Sequence, residues 1–297
     1  MPFVPENLGL TDAGLPLLRD LIHERTGLFY DNGRYDLLSD RVAPLVVERG
    51  FRSFLDFYYL LKYDEQAAAL EWRRVMDALS VQETYFWREI DQLQALVAEV
   101  VPDLVRRLHG RTLQIWAIPC ATGEEPLTLA MLLDVAGWFS RASIRIVASD
   151  ASRAAIDRAR AGTYRERALR HVPPAFRERY FTREDGAWRV SDDLSRKVTW
   201  QVENLVSPQT IAAHAGASIV LCRNLFIYFS AEAMRKVVGQ LAEYMASPAF
   251  LCLGAAESLL RLDTPFELRD IGGSFFYVCD GTTNRAAEPY SQAAERL

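Results

Sequence analysis

Two adjacent glutamates in the stretch IPCATGEEP, residues 118–126, have the type and spacing to take part in chemistry. They follow an apolar run and a small-residue turn and they open a segment with helical spacing, so the turn joins a strand to a helix. A phosphate-binding turn leaves its backbone N–H groups bare and has no anion beside them. Glu124 and Glu125 therefore predict a ligand that is not an anionic phosphate.

Polar residues also follow the later apolar runs. Asp150 comes directly after IRIVAS, and Asn204 follows VTWQV by two positions. Arg223 and Asn224 come directly after SIVLC. In a mainly parallel sheet the carboxyl ends of the strands face one crevice, so these residues are predicted to converge with the glutamate turn.

Asp150 has two possible roles. A carboxylate is an acceptor-only group that matches the two hydroxyls of a ribose. The alternative is an N-cap for the next helix, which either Asp150 or Ser152 can provide. We favour ribose binding because the other crevice residues accompany it.

The turn around Gly123 lacks the patterns G-x-G-x-x-G and G-x-x-x-x-G-K, which disfavours dinucleotide and nucleoside-triphosphate sites. An adenosyl ligand with a positive centre and an ammonium group, but no phosphates, tolerates glutamates there, and S-adenosylmethionine (SAM) is such a ligand. The alternative is that both glutamates serve only the helix dipole, with Pro126 fixing φ.

Composition limits the class of protein and its partners. The chain has 297 residues, is 50% hydrophobic and has a net charge of -5, which argues against a general nucleic-acid or membrane-surface role. It has no signal-peptide pattern and no run that approaches a membrane span, so we expect a cytoplasmic protein without membrane insertion. Its four cysteines and four histidines are widely spaced, which predicts neither a metal site nor a catalytic histidine.

Periodicity divides the chain into a helical part and an α/β part. Residues 1–80 are predicted to form a helical domain, and residues 81–100 a linker or helix that contributes to the cofactor site. In residues 101–282, six short apolar runs mostly alternate with helix-length segments, which predicts a doubly wound, Rossmann-like sheet. A charged insertion at about 164–197 contains a β-hairpin turn, and residues 283–297 are expected to form a loose tail.

Five motifs resemble, in order and spacing, those of the CheR-type chemotaxis receptor methyltransferases, which are protein-glutamate O-methyltransferases. They are SVQETYFWRE (80–89), IWAIPCATGEEPLTLAM (115–131), ASDAS (148–152), VENL (202–205) and VLCRNLFIYFS (220–230). The resemblance implies an α/β fold with a small all-helical N-terminal domain and a methyltransferase sheet with a small hairpin insertion. It also implies transfer of a methyl group from SAM to receptor glutamates, which forms γ-methyl esters and S-adenosylhomocysteine.

The resemblance implies a set of site residues as well. Cofactor contacts are expected from Gln82, Thr84, Arg88, Glu125, Asp150, Asn204, Leu205, Arg223 and Asn224. Arg88 and Tyr228 are expected to be catalytic, and Arg88 either pairs with the methionine carboxylate or aligns the acceptor glutamate. No general base is required, because a glutamate is already ionised at neutral pH. Glu125 is expected to face the cofactor and Glu124 to stabilise the helix start.

Two departures from the family pattern concern the substrate, and a smaller one concerns the cofactor. The second helix retains Arg41, but apolar residues stand at the other expected arginine positions, which weakens electrostatic docking of an acidic receptor helix on this face. These residues are Pro44, Leu45 and Val47. The hairpin is short, so we expect a chemoreceptor-like substrate to bind without a C-terminal peptide tether. Gln82 replaces the usual asparagine at a cofactor contact and offers the same amide group. A monomer is expected because the sequence has no long exposed apolar stripe.

The leading hypothesis is a SAM-dependent protein-glutamate O-methyltransferase, and three alternatives accompany it. A catalytically weak or inactive regulatory or scaffold protein would still bind S-adenosylhomocysteine but methylate nothing. A small-molecule methyltransferase fits the crevice but leaves the helical domain without a purpose. A nicotinamide oxidoreductase is disfavoured because the glycine-rich turn is missing.

Overall fold

The N-terminal part of the chain folds into four α-helices in the computed structural model, which describes residues 11–280. They are α1 (Leu15–Thr26), α2 (Tyr35–Glu48), α3 (Phe54–Tyr63) and α4 (Glu65–Leu79), with a 3₁₀ turn at Asn32–Arg34 before α2. Side-chain caps mark two of the starts: Ser53 accepts from the backbone N–H of Asp56, and Asp64 accepts from that of Ala67. Buried apolar residues of all four helices form a separate core.

A second helical stretch leads from this unit to the sheet. It consists of α5 (Ile90–Ala95), a π-helical segment (Leu96–Val100) and α6 (Val101–Leu108). The side-chain amide of Gln92 in α5 donates to the backbone oxygens of Leu253 and Phe275. These bonds attach the stretch to β10 (Ser274–Cys279) and to the residue that follows β8 (Ala249–Cys252).

A seven-stranded sheet forms the second part of the molecule. Its strands are β1 (Leu113–Ala117), β2 (Ile144–Asp150), β6 (Val198–Val202), β7 (Ile219–Leu221), β8 (Ala249–Cys252), β9 (Glu267–Ile271) and β10 (Ser274–Cys279). The spatial order is β6-β2-β1-β7-β8-β10-β9, and the first five are parallel. From β1 the strands are added in opposite directions, first β2 and β6 on one side and then β7 and β8 on the other, so the topological switch point lies between β1 and β7. Ligands bind at this point in open α/β sheets.

Helices cover the sheet, and apolar cores lie against it. They are α7 (Glu124–Val135), α8 (Trp138–Arg141), α9 (Arg153–Ala161), α12 (Pro208–Ala213) and α13 (Ala231–Tyr244). An insertion between α9 and β6 contains a small antiparallel sheet of order β3-β5-β4. Its elements are β3 (Thr163–Tyr164), a 3₁₀ turn (Glu166–Leu169), α10 (Pro174–Tyr180), β4 (Phe181–Glu184), β5 (Ala187–Val190) and α11 (Asp192–Ser195).

The fold class predicted from the sequence is confirmed, and each of the six predicted strands is present. β9 has no counterpart in the prediction, because its sequence ELRDI has three charged residues and only two apolar ones and lies at an exposed sheet edge. Antiparallel pairing with β10 makes it a strand. The tail expected at residues 283–297 lies outside the described part of the chain.

The helical unit and the sheet are joined by specific hydrogen bonds. A carboxylate oxygen of Asp77 in α4 accepts from the hydroxyl of Ser152 (2.6 Å) and from the backbone N–H of Ala154 (3.1 Å), at the start of α9. The backbone N–H of Phe29 donates to the carbonyl of Tyr228 (2.8 Å). A carboxylate at a helix N-terminus also interacts favourably with the helix dipole.

Replacing Asp77 with alanine should lower the free energy of unfolding by about 1–2 kcal/mol, because two partly buried hydrogen bonds between the units are lost. Urea denaturation followed by circular dichroism measures this change. Asp157→Ala is the matched control on the exposed face of α9, where only surface ion pairs are removed and the expected loss is below about 0.5 kcal/mol. Equal stability of the two variants would contradict a joining role for Asp77.

Candidate active site

The turn between β1 and α7 is shaped by one glycine. Gly123 has a φ of 95°, and a Cβ atom there would lie 2.8 Å from the ring of Trp200 and 3.0 Å from the Cβ of Ala159. Only glycine meets both conditions without strain. The turn is fixed further by the backbone N–H of Cys120, which donates to the carbonyl of Ser149 in β2.

The two glutamates of the first α7 turn face different surroundings. Glu124 is 4% exposed and accepts from the hydroxyl of Thr122 (2.7 Å), and burial raises the pKa of its carboxyl. Glu125 lines a cavity, and its carboxylate lies 3.0 Å from a terminal nitrogen of Arg223. Burial also raises the pKa of Glu125, and the Arg223 cation opposes that rise.

Asp150 lies at the end of β2 and lines a cavity that adjoins the one lined by Glu125. We call the cavity at Asp150 the first cavity and the cavity at Glu125 the second cavity. Its carboxylate accepts from the backbone N–H groups of Ala121 (2.9 Å) and Ser152 (2.8 Å), which orients it. Ser152 itself caps α9, so the helix does not need Asp150 as its N-cap. Burial raises the pKa of Asp150 to about 6, although the backbone hydrogen bonds act to lower it.

Arg223 is a buried cation, 4% exposed, that connects separate parts of the chain. One terminal nitrogen donates to the carboxylate of Glu89 (3.0 Å) and to the carbonyl of Arg88 (3.0 Å). The other lies beside Glu125. The Nε atom has no hydrogen-bond partner among residues 11–280, so it is available to an anionic group in the cavity.

Glu257 organises the loop that follows β7, and sequence reasoning missed it. Its carboxylate accepts from three backbone N–H groups, those of Asn224 (2.7 Å), Phe226 (2.6 Å) and Gly254 (2.7 Å). Asn224 has a φ of 60°, in the left-handed region that is costly for most residues, and these bonds hold it there. The signal for Glu257 was its position shortly after β8, at the same edge of the sheet.

The segment before α5 borders the second cavity. Thr84 and Arg88 line it, and Arg88 donates to the carbonyl of Glu83 (2.8 Å). Gln82 does not line either cavity in this structure, and its side-chain oxygen accepts from Arg158 (2.6 Å).

Residues after β6 and β7 complete the walls. The side-chain amide of Asn204 donates to the carbonyl of Arg25 in α1 (2.7 Å), and Leu205 is buried. Both line the first cavity, together with residues of the helical unit such as Tyr30 and Leu79. Tyr228 and Asn224 line both cavities, so the two spaces adjoin at these side chains.

Nine of the ten predicted site residues therefore line the paired cavities, and Gln82 lies beside them. The nine are Thr84, Arg88, Glu125, Asp150, Asn204, Leu205, Arg223, Asn224 and Tyr228. These residues place the carboxylates of Asp150 and Glu125 in the cavities. They also place two guanidinium groups there, that of Arg223, which is buried, and that of Arg88, which is partly exposed.

His214 is explained by packing. It stacks on Trp116 with ring centroids 4.2 Å apart, and its Nε2 lies 2.7 Å from the carboxylate of Glu203. Burial acts to raise the pKa of Glu203, but hydrogen bonds to His214 and Ser149 outweigh it and lower the pKa. Within residues 11–280, no three His, Cys, Asp or Glu side chains are grouped to hold a metal, and no helix is long and apolar enough to cross a membrane.

Known proteins share both parts of this chain. Residues 82–272 match the family described as CheR methyltransferase, SAM binding domain, and residues 13–80 match the CheR methyltransferase, all-alpha domain. Chemotaxis protein methyltransferase 2 of Vibrio cholerae is 31% identical over 263 residues, which cover 88% of this chain and 90% of the relative. The chemotaxis protein methyltransferase of Escherichia coli is 27% identical over 269 residues, which cover 89% and 91% of the two chains.

A solved structure, the magnesium protoporphyrin IX methyltransferase of Synechocystis with bound SAM, covers 74% of this chain and 91% of its own, at 15% identity and a TM-score of 0.33. The family match extends over far more than half of the residues and includes both the helical unit and the sheet with its cavities. The chain belongs to the CheR chemotaxis methyltransferase family and is a SAM-dependent methyltransferase.

Proposed function

We propose that this enzyme transfers the methyl group of SAM to glutamate side chains of chemoreceptor-like proteins and forms glutamate γ-methyl esters. The observation that carries the proposal is the pair of adjoining cavities, one with buried carboxylates and the other bordered by the Arg88 guanidinium. Asp150 in the first cavity and Glu125 in the second suit the ribose hydroxyls and the ammonium group of SAM, whereas Arg88 at the border of the second cavity suits an anionic acceptor. The names of the curated relatives support a protein acceptor of chemotaxis.

The residues present fit SAM. Two hydroxyls of a ribose can donate to Asp150, which is already oriented by two backbone bonds. Glu125 lies where a carboxylate favours the ammonium group, and the free Nε of Arg223 suits the methionine carboxylate. When bound, SAM supplies an electrophilic methyl group on a positively charged sulfur.

Arg88 and Tyr228 are the residues that we assign to the acceptor. Both line the second cavity, and Arg88 offers a guanidinium to one oxygen of a glutamate carboxylate while the other oxygen remains free to react. That oxygen forms a bond to the methyl carbon as the carbon–sulfur bond breaks, and the electron pair of the broken bond stays on sulfur. No proton moves, so the reaction requires no general base.

The helical unit contributes an apolar wall to the first cavity. Tyr30 and Leu79 are buried lining residues, and Leu28 forms an antiparallel bridge with Phe229 beside them. A sulfonium and a carboxylate neutralise each other on transfer, and water stabilises the separated charges better than the transition state. Partial exclusion of water therefore lowers the barrier. This role gives the N-terminal helices a purpose in an enzyme.

The substrate expectations from the sequence remain predictions. Each strand of the β4–β5 hairpin has four residues, so a receptor tether would find a short edge to pair with. We retain the prediction that the acceptor binds without such a tether and that the enzyme is a monomer.

Asp150→Asn should weaken binding of S-adenosylhomocysteine by about tenfold or more, since charge-assisted hydrogen bonds to a buried carboxylate contribute roughly 1.5–3 kcal/mol. Isothermal titration calorimetry at pH 7.5 measures the affinity, with NAD as a ligand that should not bind. Because the pKa of Asp150 is raised to about 6, the wild-type carboxylate is ionised above that pH and becomes protonated below it. Wild-type affinity should therefore fall as the pH is lowered from 7.5 to 5, and the variant should lose the part of this fall that Asp150 causes, whereas Glu125, whose pKa burial also raises, keeps its own contribution. Equal affinity of both proteins at pH 7.5 would remove Asp150 from the site.

Arg88→Ala should reduce methyl transfer by at least about a hundredfold, because the group that aligns the acceptor and its charge is lost. The measurement is transfer of labelled methyl groups from SAM to chemoreceptor-containing membranes, with base-labile release as methanol to identify esters. The side chain is one-quarter exposed, so the fold should be retained, and Arg106→Ala on α6 is a matched control. Full activity of Arg88→Ala would refute the assigned role, and the absence of base-labile label with wild-type enzyme would refute the proposed function.

A further inference from the structure

A cluster of arginines outside the cavities takes no part in the chemistry described above. Residues 158–171 contain five arginines and one glutamate, a local net charge of +4 in a chain whose total is -5. The segment runs from the end of α9 through β3 and the 3₁₀ turn of the insertion. Such a concentration of one sign in an acidic protein indicates a surface that attracts anions.

Two of these arginines contact the segment that borders the second cavity, and a third is bonded to one of them through its backbone. Arg158 donates to Gln82 (2.6 Å), and the guanidinium carbon of Arg170 lies 3.8 Å from the centroid of the Tyr85 ring. Arg170 also donates to the carbonyl of Arg167, which places the two residues side by side. The guanidinium of Arg88 lies 5.9 Å from the same Tyr85 ring. We call Arg158, Arg167 and Arg170 the cationic rim, and Arg88, which lines the second cavity, lies beside it.

The three rim arginines are exposed and have no carboxylate partner. Among residues 11–280, no carboxylate forms an ion pair with Arg158, Arg167 or Arg170. Nearby arginines differ in this respect: Arg160 pairs with Asp157, and Arg177 pairs with Glu166. The charge of the rim is therefore available to a partner.

Charges of both signs line the cavities, whereas the rim carries only positive charge. Carboxylates of Glu125, Asp150 and Glu203 line the cavities together with arginines such as Arg41 and Arg223. The cavity carboxylates suit the hydroxyls and the positive charges of SAM. A basic rim attracts an acidic polypeptide, whose acceptor glutamate enters the second cavity.

The second helix does not offer an equivalent surface. Arg41 of α2 donates to the carbonyls of Ala78 (3.1 Å) and Leu79 (3.4 Å) at the end of α4 and lines the first cavity. Its guanidinium is thus partly buried against the enzyme, whereas Arg158, Arg167 and Arg170 are exposed. Leu45, one of the apolar residues where a cation was expected, is buried in the helical core.

We propose that the cationic rim is the docking surface for an acidic segment of the protein substrate, next to the glutamate that is methylated. This inference rests on the proposed function, because the substrate is taken to be a protein that presents a glutamate. A nucleic acid is the less suitable occupant. Arg170 covers one face of the Tyr85 ring, so a base that stacked on this face would have to displace it.

The test reverses the charge of two rim residues that do not line the cavities. The double variant Arg167→Glu/Arg170→Glu is compared with Arg106→Glu/Arg107→Glu, which changes the charge equally on α6, before the amino end of β1. The probe is a fluorescein-labelled helical peptide of Glu-Ala-Ala-Gln repeats, and its partner is the same peptide with every glutamate replaced by glutamine. Fluorescence anisotropy in the presence of S-adenosylhomocysteine gives the dissociation constants at low and high salt.

Wild-type enzyme should bind the acidic peptide in preference to the neutral one, and more weakly at high salt. The rim variant should bind the acidic peptide about tenfold or more weakly, whereas the control variant should stay within about threefold of wild type. Calorimetry with S-adenosylhomocysteine and a thermal melt should show that both variants keep the cofactor site and the fold. Equal weakening in the two variants would overturn the inference, as would the absence of a preference for the acidic peptide.

Two further measurements separate this inference from the proposed function. A labelled single-stranded oligonucleotide of the same charge serves as the competing probe, and rim-dependent binding that is tighter than that of the peptide would overturn the choice of a polypeptide. If the rim variant methylates chemoreceptor membranes with an unchanged KM, the rim does not dock the substrate, although the proposed function holds. If wild-type enzyme binds the acidic peptide through the rim but transfers no methyl group to chemoreceptor membranes, the proposed function fails, although the rim still binds acidic polypeptides.

Discussion

The buried guanidinium of Arg223 is the interaction on which the rest of the site depends. A charge removed from water must be paired, and its two carboxylate partners come from separate parts of the chain, Glu89 before α5 and Glu125 in the first turn of α7. Satisfying one cation therefore brings three stretches together at the carboxyl edge of the sheet. Glu257 does the same for the backbone of the adjacent loop, where one carboxylate holds three N–H groups. The geometry of the paired cavities follows from these two charges.

Charges of both signs line the cavities, whereas the surface beside them carries arginines without carboxylate partners. Arg223 lies beside Glu125 in the second cavity, and Arg158 and Arg170 lie on α9 and on the insertion with no ion-pair partner among residues 11–280. In the methyl transfer that we propose, a cationic donor and an anionic acceptor each meet the opposite sign before the charges neutralise each other. The same neutralisation means that the proposed transfer requires no general base.

The N-terminal helices are a wall of the cavity as well as a folded unit. Asp77 joins α4 to the start of α9, the carbonyl of Arg25 in α1 accepts from Asn204, and Phe29 donates to Tyr228. These bonds surround the apolar lining that the helices contribute. A change in the packing of the helical unit against the sheet would therefore alter the cavity directly, which makes the two parts one functional body.

The sequence by itself determined the features that depend on neighbouring residues. Strand and helix periodicity predicted the sheet and placed Asp150 at a strand end, and the small-residue turn at Gly123 was recognisable from its composition. The tertiary structure alone decided that Glu257 captures three N–H groups, that β9 completes the sheet edge, and that the side chain of Gln82 accepts from Arg158. The physical reason is that periodicity and turn conformation are local properties. The partners of a buried charge or an edge strand are set by groups that are distant in sequence and meet only when the chain has folded.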